Sequence, residues 1–292
     1  KEVEDILDML VTTDIRETNP LSCKLVQSII SKVSPARLDL LVKHISDQFL
    51  SLATHSSGHL AVLAVLDVAS QDQRDSLISQ LEDKELLLRL VMDKAGSAVM
   101  LKILPHFHPT ALVSLVRNLQ GSVVEIGCHP RGSFFLQKFF RDYIGNDMVD
   151  LLLEEVMENL GILAFNDTGN WMVQKVVKLG KPSQVHLRRV ACWLEKNLQA
   201  VLMNTHGASL VRTVVLSQIM GRQVNCWSQI LDRLVMKMMT TMVKQDKQDL
   251  PLLIVVAEHH SGHNVVLELA ANKECLVDTK DSLVEMLNEH RS

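Results

Sequence analysis

The chain has 292 residues, of which 47% are hydrophobic but only 4% aromatic. A core with so few rings must be built from Leu, Val, Ile and Met, which favours helices and argues against an all-β sandwich or barrel. The net charge of −4 gives no support by itself to a nucleic-acid partner, because such domains are usually basic overall.

One pattern recurs along the chain: an apolar helical stretch, a short polar turn that usually contains Gly, and a second apolar helix. The turns are anchored at Ser22, Gly58, Gly96, Gly132, Gly169, Gly207 and Gly262. The spacings between neighbouring anchors are 36, 38, 36, 37, 38 and 55 residues. One such unit cannot bury its apolar face alone, so neighbouring units must stack. The spacing therefore predicts one solenoid domain over residues 1–292 with at least seven units.

Stretches with apolar residues at i, i+3 and i+4 lie on both sides of the anchors, for example Leu194–Met203 before Gly207 and Trp171–Leu179 after Gly169. Polar residues that can end or cap a helix stand three places before three anchors: Asp93, Asn166 and Asn204. The anchor glycines allow either a positive φ or a close approach of two backbones. Each unit is thus predicted to be a pair of helices joined at the glycine.

The last spacing contains about 18 residues more than one period, which predicts a long insertion at about 217–252. This insertion is either a long loop within a regular array or a degenerate half-unit. The residues from Val224 to Val243 have a helical pattern. We therefore favour lengthened helices with a loop at Lys244–Pro251.

Other classes of site find little support. The five cysteines are far apart and never form C-x-x-C, so reduced thiols are expected and neither disulfides nor a zinc site is predicted. No apolar run approaches the roughly 18 residues that cross a membrane. The sequence lacks the common catalytic and phosphate-binding motifs. The chain is predicted not to be an enzyme, and no cofactor or metal is expected.

The residues after the anchors resemble a known family. Asn170-Trp171-Met172-Val173-Gln174-Lys175 resembles the base-reading helix of a Pumilio (PUF) repeat, whose typical form after Gly is Asn-Tyr-x-x-Gln-Lys. The segments from Ser133 to Lys138 and from Cys23 to Gln27 are similar, and the preceding words HPRG and NDTG resemble the turn of that repeat. In spacing the resemblance covers most of the chain, and in the diagnostic side chains three of seven units. It implies an all-α fold, a right-handed superhelical α-solenoid of Pumilio-like helical repeats.

The first and fifth places after each anchor fall on one face of the second helix, and the second place lies between them. Two polar side chains there can grip the edge of a base while the second place stacks on it. The resemblance implies three such readers: Asn170, Trp171 and Gln174 for uracil; Ser133, Phe134 and Gln137 for adenine; Cys23, Lys24 and Gln27 for adenine. An array antiparallel to single-stranded RNA would then read a U-A core with the Trp171 and Phe134 units.

The other units depart from this pattern at the first, second and fifth places: His59, Leu60 and Leu63; Ser97, Ala98 and Leu101; Ala208, Ser209 and Arg212; His263, Asn264 and Leu267. Arg212 can still reach a base or phosphate, and Ser209, His263 and Asn264 remain candidates. Cations at or next to the fifth place predict a ladder on one concave face: Lys102, Lys138, Lys175 and Arg212. Acidic pairs such as Glu154-Glu155 are expected on the first helices.

The resemblance implies post-transcriptional regulation of messenger RNA, with protein partners on the convex face. A cytoplasmic monomer is expected. One alternative is a nucleolar Pumilio-like protein that binds pre-ribosomal RNA, and another is a HEAT-like protein–protein scaffold. The alternative role of Trp171 and Phe134 is packing between units. The alternative for the lysines is that they lie on an ordinary solvent-exposed face.

Overall fold

A computed structural model describes residues 30, 33–143, 145–179, 184–219, 227–245, 248–271 and 277–291. Most of them are helical, as the composition predicts. The chain divides into two compact units, Lys1–Phe139 and Phe140–Ser292. Within the described ranges, no helix combines the length and the apolar character needed to cross a membrane. The predicted reader formed by Cys23, Lys24 and Gln27 lies outside the described residues.

Each described repeat has a first helix, a short helix and a second helix, where the sequence predicted two helices. The first helices are Pro35–Asp47, Gln71–Ser79, Pro109–Leu119, Asp147–Glu158, Gln184–Lys196 and Trp227–Thr240. The short helices are Phe49–Ala53, Lys84–Met92, Val123–Cys128, Leu160–Leu163, Leu198–Leu202 and Leu252–Glu258. The second helices are Gly58–Val68, Lys94–Ile103, Pro130–Tyr143, Gly169–Leu179, Thr205–Ile219 and His263–Ala271. We name each repeat by its anchor glycine.

Three further helical elements complete the described chain. Two are 3₁₀ turns, Gln80–Glu82 and Leu104–His106. The third is a helix after the last repeat, Val277–Arg291, which has the place of another first helix.

Asparagines separate the first helix from the short helix in two repeats of the second unit. The side-chain amides of Asn159 and Asn197 donate to the carbonyl oxygens of Glu155 and Trp193, each at 2.8 Å. Such local side-chain bonds compete with the backbone ladder and favour a break in the helix. The stretch Leu194–Met203, predicted to be continuous, is therefore divided at Asn197.

The turn before each second helix is capped by the residue three places before the anchor. In five repeats, a side-chain atom of this residue accepts a hydrogen bond from the glycine N–H: His55, Asp93, His129, Asn166 and Asn204. In the last repeat, His259 Nδ1 accepts from the neighbouring Ser261 N–H at 3.2 Å. The caps predicted at Asp93, Asn166 and Asn204 are thus confirmed, and the histidines have the same role.

The anchor glycines are needed because the short and second helices approach each other closely. A Cβ atom at Gly169 would lie 2.8 Å from the carbonyl oxygen of Leu163, and one at Gly96 would lie 2.6 Å from that of Leu90. Real Cβ atoms do not approach backbone that closely. Among the described glycines, positive φ angles occur only at Gly121 and Gly145. Of the two predicted reasons for the anchor glycines, the close approach is the one that applies.

Each unit has its own aliphatic core. In the first unit, the fully buried side chains are mostly Leu, Ile and Val, together with Phe135 and Phe139, whose ring centroids are 5.9 Å apart. In the second unit, the second helices of the Gly169, Gly207 and Gly262 repeats pack side by side in that order. This packing places corresponding positions of successive repeats next to each other.

The predicted insertion contains a regular first helix and a β-hairpin. The helix predicted over Val224–Val243 is present as Trp227–Thr240. Strand β1 (Met242–Gln245) pairs antiparallel with β2 (Gln248–Pro251), and Val243 lies opposite Leu250. The prediction of a loop at Lys244–Pro251 is therefore wrong. Two short strands form there, although the polar residues of this segment showed no strand pattern.

Candidate nucleic-acid interface

The Gly169 repeat presents an exposed ring between two buried amides. The side chain of Trp171 is 61% exposed, whereas Asn170 and Gln174 are 1% and 5% exposed. An indole so exposed contributes little to packing between repeats. Asn170 and Gln174 are one turn apart on the second helix and contact each other, as the i, i+4 spacing predicts.

Hydrogen bonds fix both amides of this repeat. The Asn170 Nδ2 group donates to the carbonyl oxygens of Asn166 and Asp167 at 2.9 and 2.8 Å. Gln174 Nε2 donates to Asn170 Oδ1 at 2.7 Å, and Gln174 Oε1 accepts from Thr213 Oγ1 at 2.7 Å. One N–H of Gln174 and one lone pair on each amide oxygen remain for another partner. Because the amides are buried, a base edge would reach them only after a small displacement of side chains.

The Gly132 repeat has the same arrangement with different residues. Ser133 is buried, and its Oγ accepts a hydrogen bond from Gln137 Nε2 at 3.1 Å. Phe134 is 46% exposed, and Lys138 Nζ lies 5.6 Å from the centroid of its ring. A cation at this distance interacts favourably with the face of a ring. The structure thus brings together the first, second and fifth places of this repeat and adds Lys138 to them.

In the Gly207 repeat, the candidate side chains are occupied by contacts within the protein. Ala208 is buried and has no polar side-chain atom. Ser209 Oγ donates to the carbonyl oxygen of Thr205 at 3.0 Å. Arg212 Nε lies 2.6 Å from Glu268 Oε1 of the next repeat. The guanidinium predicted to meet RNA therefore has a carboxylate partner.

The Gly262 repeat contributes exposed side chains without a reading pair. Asn264 and Leu267 are exposed. His263 is also exposed, and its Nδ1 lies 3.0 Å from the carbonyl oxygen of Ala257. His259 Nδ1 accepts from the Ser261 N–H, so both histidines make contacts within the polar turn before this helix.

The predicted ladder of cations is partly neutralised. Lys102 forms an ion pair with Asp67 in the first unit, as Arg212 does with Glu268 in the second. Lys138 lies over the ring of Phe134, and Lys175, which follows Gln174 in the chain, is half-buried. The electrostatic attraction for a polyanion is therefore weaker than the count of cations suggests.

The first helices of the second unit are joined by ion pairs. Glu154 Oε1 lies 2.7 Å from His186 Nε2, and its other oxygen pairs with Arg189. Partial burial opposes ionisation of Glu154, but the hydrogen bonds from His186 and Arg189 outweigh it and lower the pKa of this carboxyl. The expectation that Glu154 and Glu155 lie on a first helix is confirmed.

Thr213 and Glu268 contact predicted site residues but were not themselves predicted to belong to the site. Both stand at the sixth place of their repeats, where Lys102, Lys138 and Lys175 stand in others. Their departure from lysine at this place is the sequence feature that could have drawn attention to them.

Residues 48–82 and 122–157 match the Pumilio-family RNA binding repeat. These two segments contain the anchors Gly58 and Gly132. Two repeats of this chain are therefore similar to Pumilio-family repeats. Pumilio homolog 11 of Arabidopsis thaliana is 21% identical over 221 residues, which are 61% of this chain and 40% of that protein. The matched part thus spans less than half of that Pumilio relative.

Solved structures of Pumilio-type domains have the same fold. PUF-8 in complex with PBE-RNA aligns with a TM-score of 0.78 and 15% identity, over 99% of this chain and 79% of that chain. A Puf4 mutant bound to the Cox17 RNA 3′ UTR recognition sequence aligns with a TM-score of 0.76 and 12% identity, over 98% and 78% of the two chains. The fold is therefore the Pumilio α-solenoid.

Proposed function

We propose that this chain binds single-stranded RNA sequence-selectively through its second helices, with the Gly169 and Gly132 repeats as its principal readers. The observation that carries the proposal is the shared geometry of these repeats. Each has an exposed aromatic ring at the second place, between a first and a fifth residue that are joined by a hydrogen bond. Pumilio-type arrays read one base per repeat with two or three side chains.

Stacking supplies most of the affinity of such a reader, and the polar pair supplies its selectivity. An aromatic stack contributes about 1–3 kcal/mol per base and tolerates every base. The amide or hydroxyl pair discriminates, because a base with the wrong edge leaves buried polar groups unpaired. We assign uracil to Asn170 and Gln174 and adenine to Ser133 and Gln137. The bound strand would then contain U-A, with the uracil on the 5′ side.

Reading is proposed to be sparse along the array. The fifth places of the Gly58, Gly96 and Gly262 repeats are leucines, which cannot bond a base edge. Arg212 in the Gly207 repeat is held by Glu268. A few specific bases separated by tolerated ones are therefore expected in the target.

We further propose that the RNA is messenger RNA and that binding regulates its translation or stability in the cytoplasm. The Puf4 domain with a similar fold was solved on a 3′ UTR sequence, which supports this proposal. Protein partners and a monomeric state belong to the same proposal, and no catalytic step is part of it.

Pre-ribosomal RNA is a second candidate target. The arginine at the fifth place of the Gly207 repeat and the 55-residue last spacing favour it. It predicts a structured RNA target and nucleolar fluorescence of the full-length protein.

Selection from random RNA with the whole chain tests the proposal. We expect an enriched single-stranded motif that contains U-A. The double variant Asn170→Ala with Gln174→Ala should lose the preference at one base position and keep the others. Gln199→Ala, an exposed amide on the short helix Leu198–Leu202, is the matched control and should select the same motif as the wild type. Equally weak binding of all RNAs by every variant would contradict RNA reading and favour a protein–protein scaffold.

A further inference from the structure

In the second unit, the fifth residue of one repeat contacts the sixth residue of the next. Thr213 Oγ1 donates to Gln174 Oε1 at 2.7 Å, across 39 residues of sequence. Arg212 Nε lies 2.6 Å from Glu268 Oε1, across 56 residues. The Gly169, Gly207 and Gly262 repeats pack in this order, so the two contacts occupy equivalent places at successive junctions. The same two places of the repeat are therefore joined at both junctions, by a neutral hydrogen bond at the first and by an ion pair at the second.

At the first junction, a chain of hydrogen bonds reaches from the backbone to Thr213. Both N–H groups of Asn170 are bonded to carbonyl oxygens, which directs Asn170 Oδ1 towards Gln174. Gln174 Nε2 donates to that oxygen, so Gln174 Oε1 faces the other way and accepts from Thr213. The network assigns the orientation of each amide.

Thr213 is only 4% exposed, and Gln174 is nearly as buried. Without the hydroxyl of Thr213, a buried carbonyl oxygen would lack a partner, which is costly in a protein interior. Gln174 would then leave its position to bond water. The amide that is aligned with Asn170 would no longer be held where a base edge meets it.

We propose that Thr213 is a positioning residue that sets the base selectivity of the preceding repeat. It contacts Gln174 and not the RNA, and it presents the remaining N–H of Gln174 beside Asn170. Selectivity in the Gly169 repeat is thus completed by the Gly207 repeat. The inference rests on the proposed RNA-binding function.

The test compares Thr213→Val with Thr213→Ser in the whole chain, on four single-stranded RNAs that differ only at the base read by the Gly169 repeat. Thr213→Val has nearly the same shape but no hydroxyl. Its ratio of affinity for the preferred base over the next best should fall about fivefold to tenfold, which corresponds to one hydrogen bond. Thr213→Ser retains the donor and should restore the ratio.

The matched control is Thr54→Val in the first unit. Its hydroxyl also makes one hydrogen bond, to the carbonyl oxygen of Leu50 at 2.8 Å, and it lies outside the proposed readers. A loss of stability alone would lower the affinity for all four RNAs together in either variant. Only the lost position of Gln174 changes the ratio between them.

The outcomes separate this inference from the proposed function. If the wild type distinguishes bases, Gln174→Ala abolishes the distinction and Thr213→Val preserves it, then the positioning role is wrong and RNA reading stands. If the wild type distinguishes no bases, both are wrong. The ¹⁵N–¹H signals of the Gln174 side chain give a readout without RNA. They should be sharp in the wild type and in Thr213→Ser and averaged in Thr213→Val, and unchanged signals in Thr213→Val would overturn the positioning role.

Discussion

The Gly169 and Gly207 repeats are neighbours with the same scaffold and different surfaces. Both second helices follow an Asn cap, Asn166 or Asn204, and both begin next to a glycine that allows close approach of the short helix. At the first and fifth places, however, one has a hydrogen-bonded amide pair and the other has Ala208 and an ion-paired Arg212. The residues that determine the fold of a repeat are thus separate from those that determine which side chains stand at its first and fifth places.

This difference would let one array combine repeats that read a base with repeats that do not, as the proposed function requires. Changing the first, second and fifth places leaves the cap, the glycine and the buried aliphatic residues in place. The solenoid therefore remains intact where a reader is absent. We expect substitutions in the shared scaffold to affect both repeats alike and substitutions at the surface to affect only one.

The largest expected effect comes from the shared scaffold. Gly169→Ala and Gly207→Ala would place a Cβ atom 2.8 and 2.6 Å from the carbonyl oxygens of Leu163 and Val201. Relieving such overlap in a packed interior costs about 1–3 kcal/mol of the free energy of unfolding. Urea denaturation should show a similar loss for both variants.

Gly161→Ala is the control for these two variants. The nearest atom to its Cβ is 3.9 Å away, and the residue is exposed in a short helix. Alanine there should leave stability unchanged or raise it by up to about 1 kcal/mol, because alanine has the higher helix propensity. Equal stability of Gly161→Ala and Gly169→Ala would refute the close-approach explanation.

The next effect should distinguish the two repeats. Trp171→Ala removes an exposed ring at the second place, and we expect the free energy of RNA binding to weaken by about 1–3 kcal/mol. Ser209→Ala at the same place of the Gly207 repeat should change affinity less than about twofold, because its hydroxyl bonds Thr205 within the helix. Titration of labelled RNA measures both. Equal losses would mean that the Gly207 repeat also stacks on a base.

The features that depend on residues close together in the chain could be predicted from the sequence. The period, the caps at Asn166 and Asn204, and the meeting of Asn170 with Gln174 all follow from spacing along one chain segment. The contact between Gln174 and Thr213 could not be predicted, because it depends on how two repeats stack. The partner of Arg212 was hidden for the same reason, so a cation expected to face RNA is paired with Glu268.

The boundaries of elements were predictable only in part. Asn159 and Asn197 divide stretches whose apolar periodicity continues across them, and periodicity alone does not reveal a side chain that bonds the backbone. The hairpin β1–β2 has only four residues in each strand, too few to establish an alternation among polar neighbours. These elements depend on bonds that a hydrophobic pattern does not record.

The smallest expected effect concerns the ion pair between Arg212 and Glu268, which holds the arginine of the Gly207 repeat. Glu268→Gln removes the negative charge beside Arg212, whose side chain is half exposed. The released cation can then approach a phosphate. We expect RNA affinity to rise about twofold to threefold at low salt, with the slope of log K against log salt steeper by about 0.7, the value for one phosphate contact on a single strand.

Two variants decide whether this gain belongs to Arg212. Adding Arg212→Gln to Glu268→Gln should abolish both the rise in affinity and the steeper slope. Glu158→Gln makes the same change of charge on an exposed site of a first helix and should leave the slope as it is in the wild type. If Glu158→Gln raised affinity as much as Glu268→Gln, net charge alone would explain the gain. The difference between the two repeats would then lie in Ala208 and Ser209, not in the contact that holds the arginine.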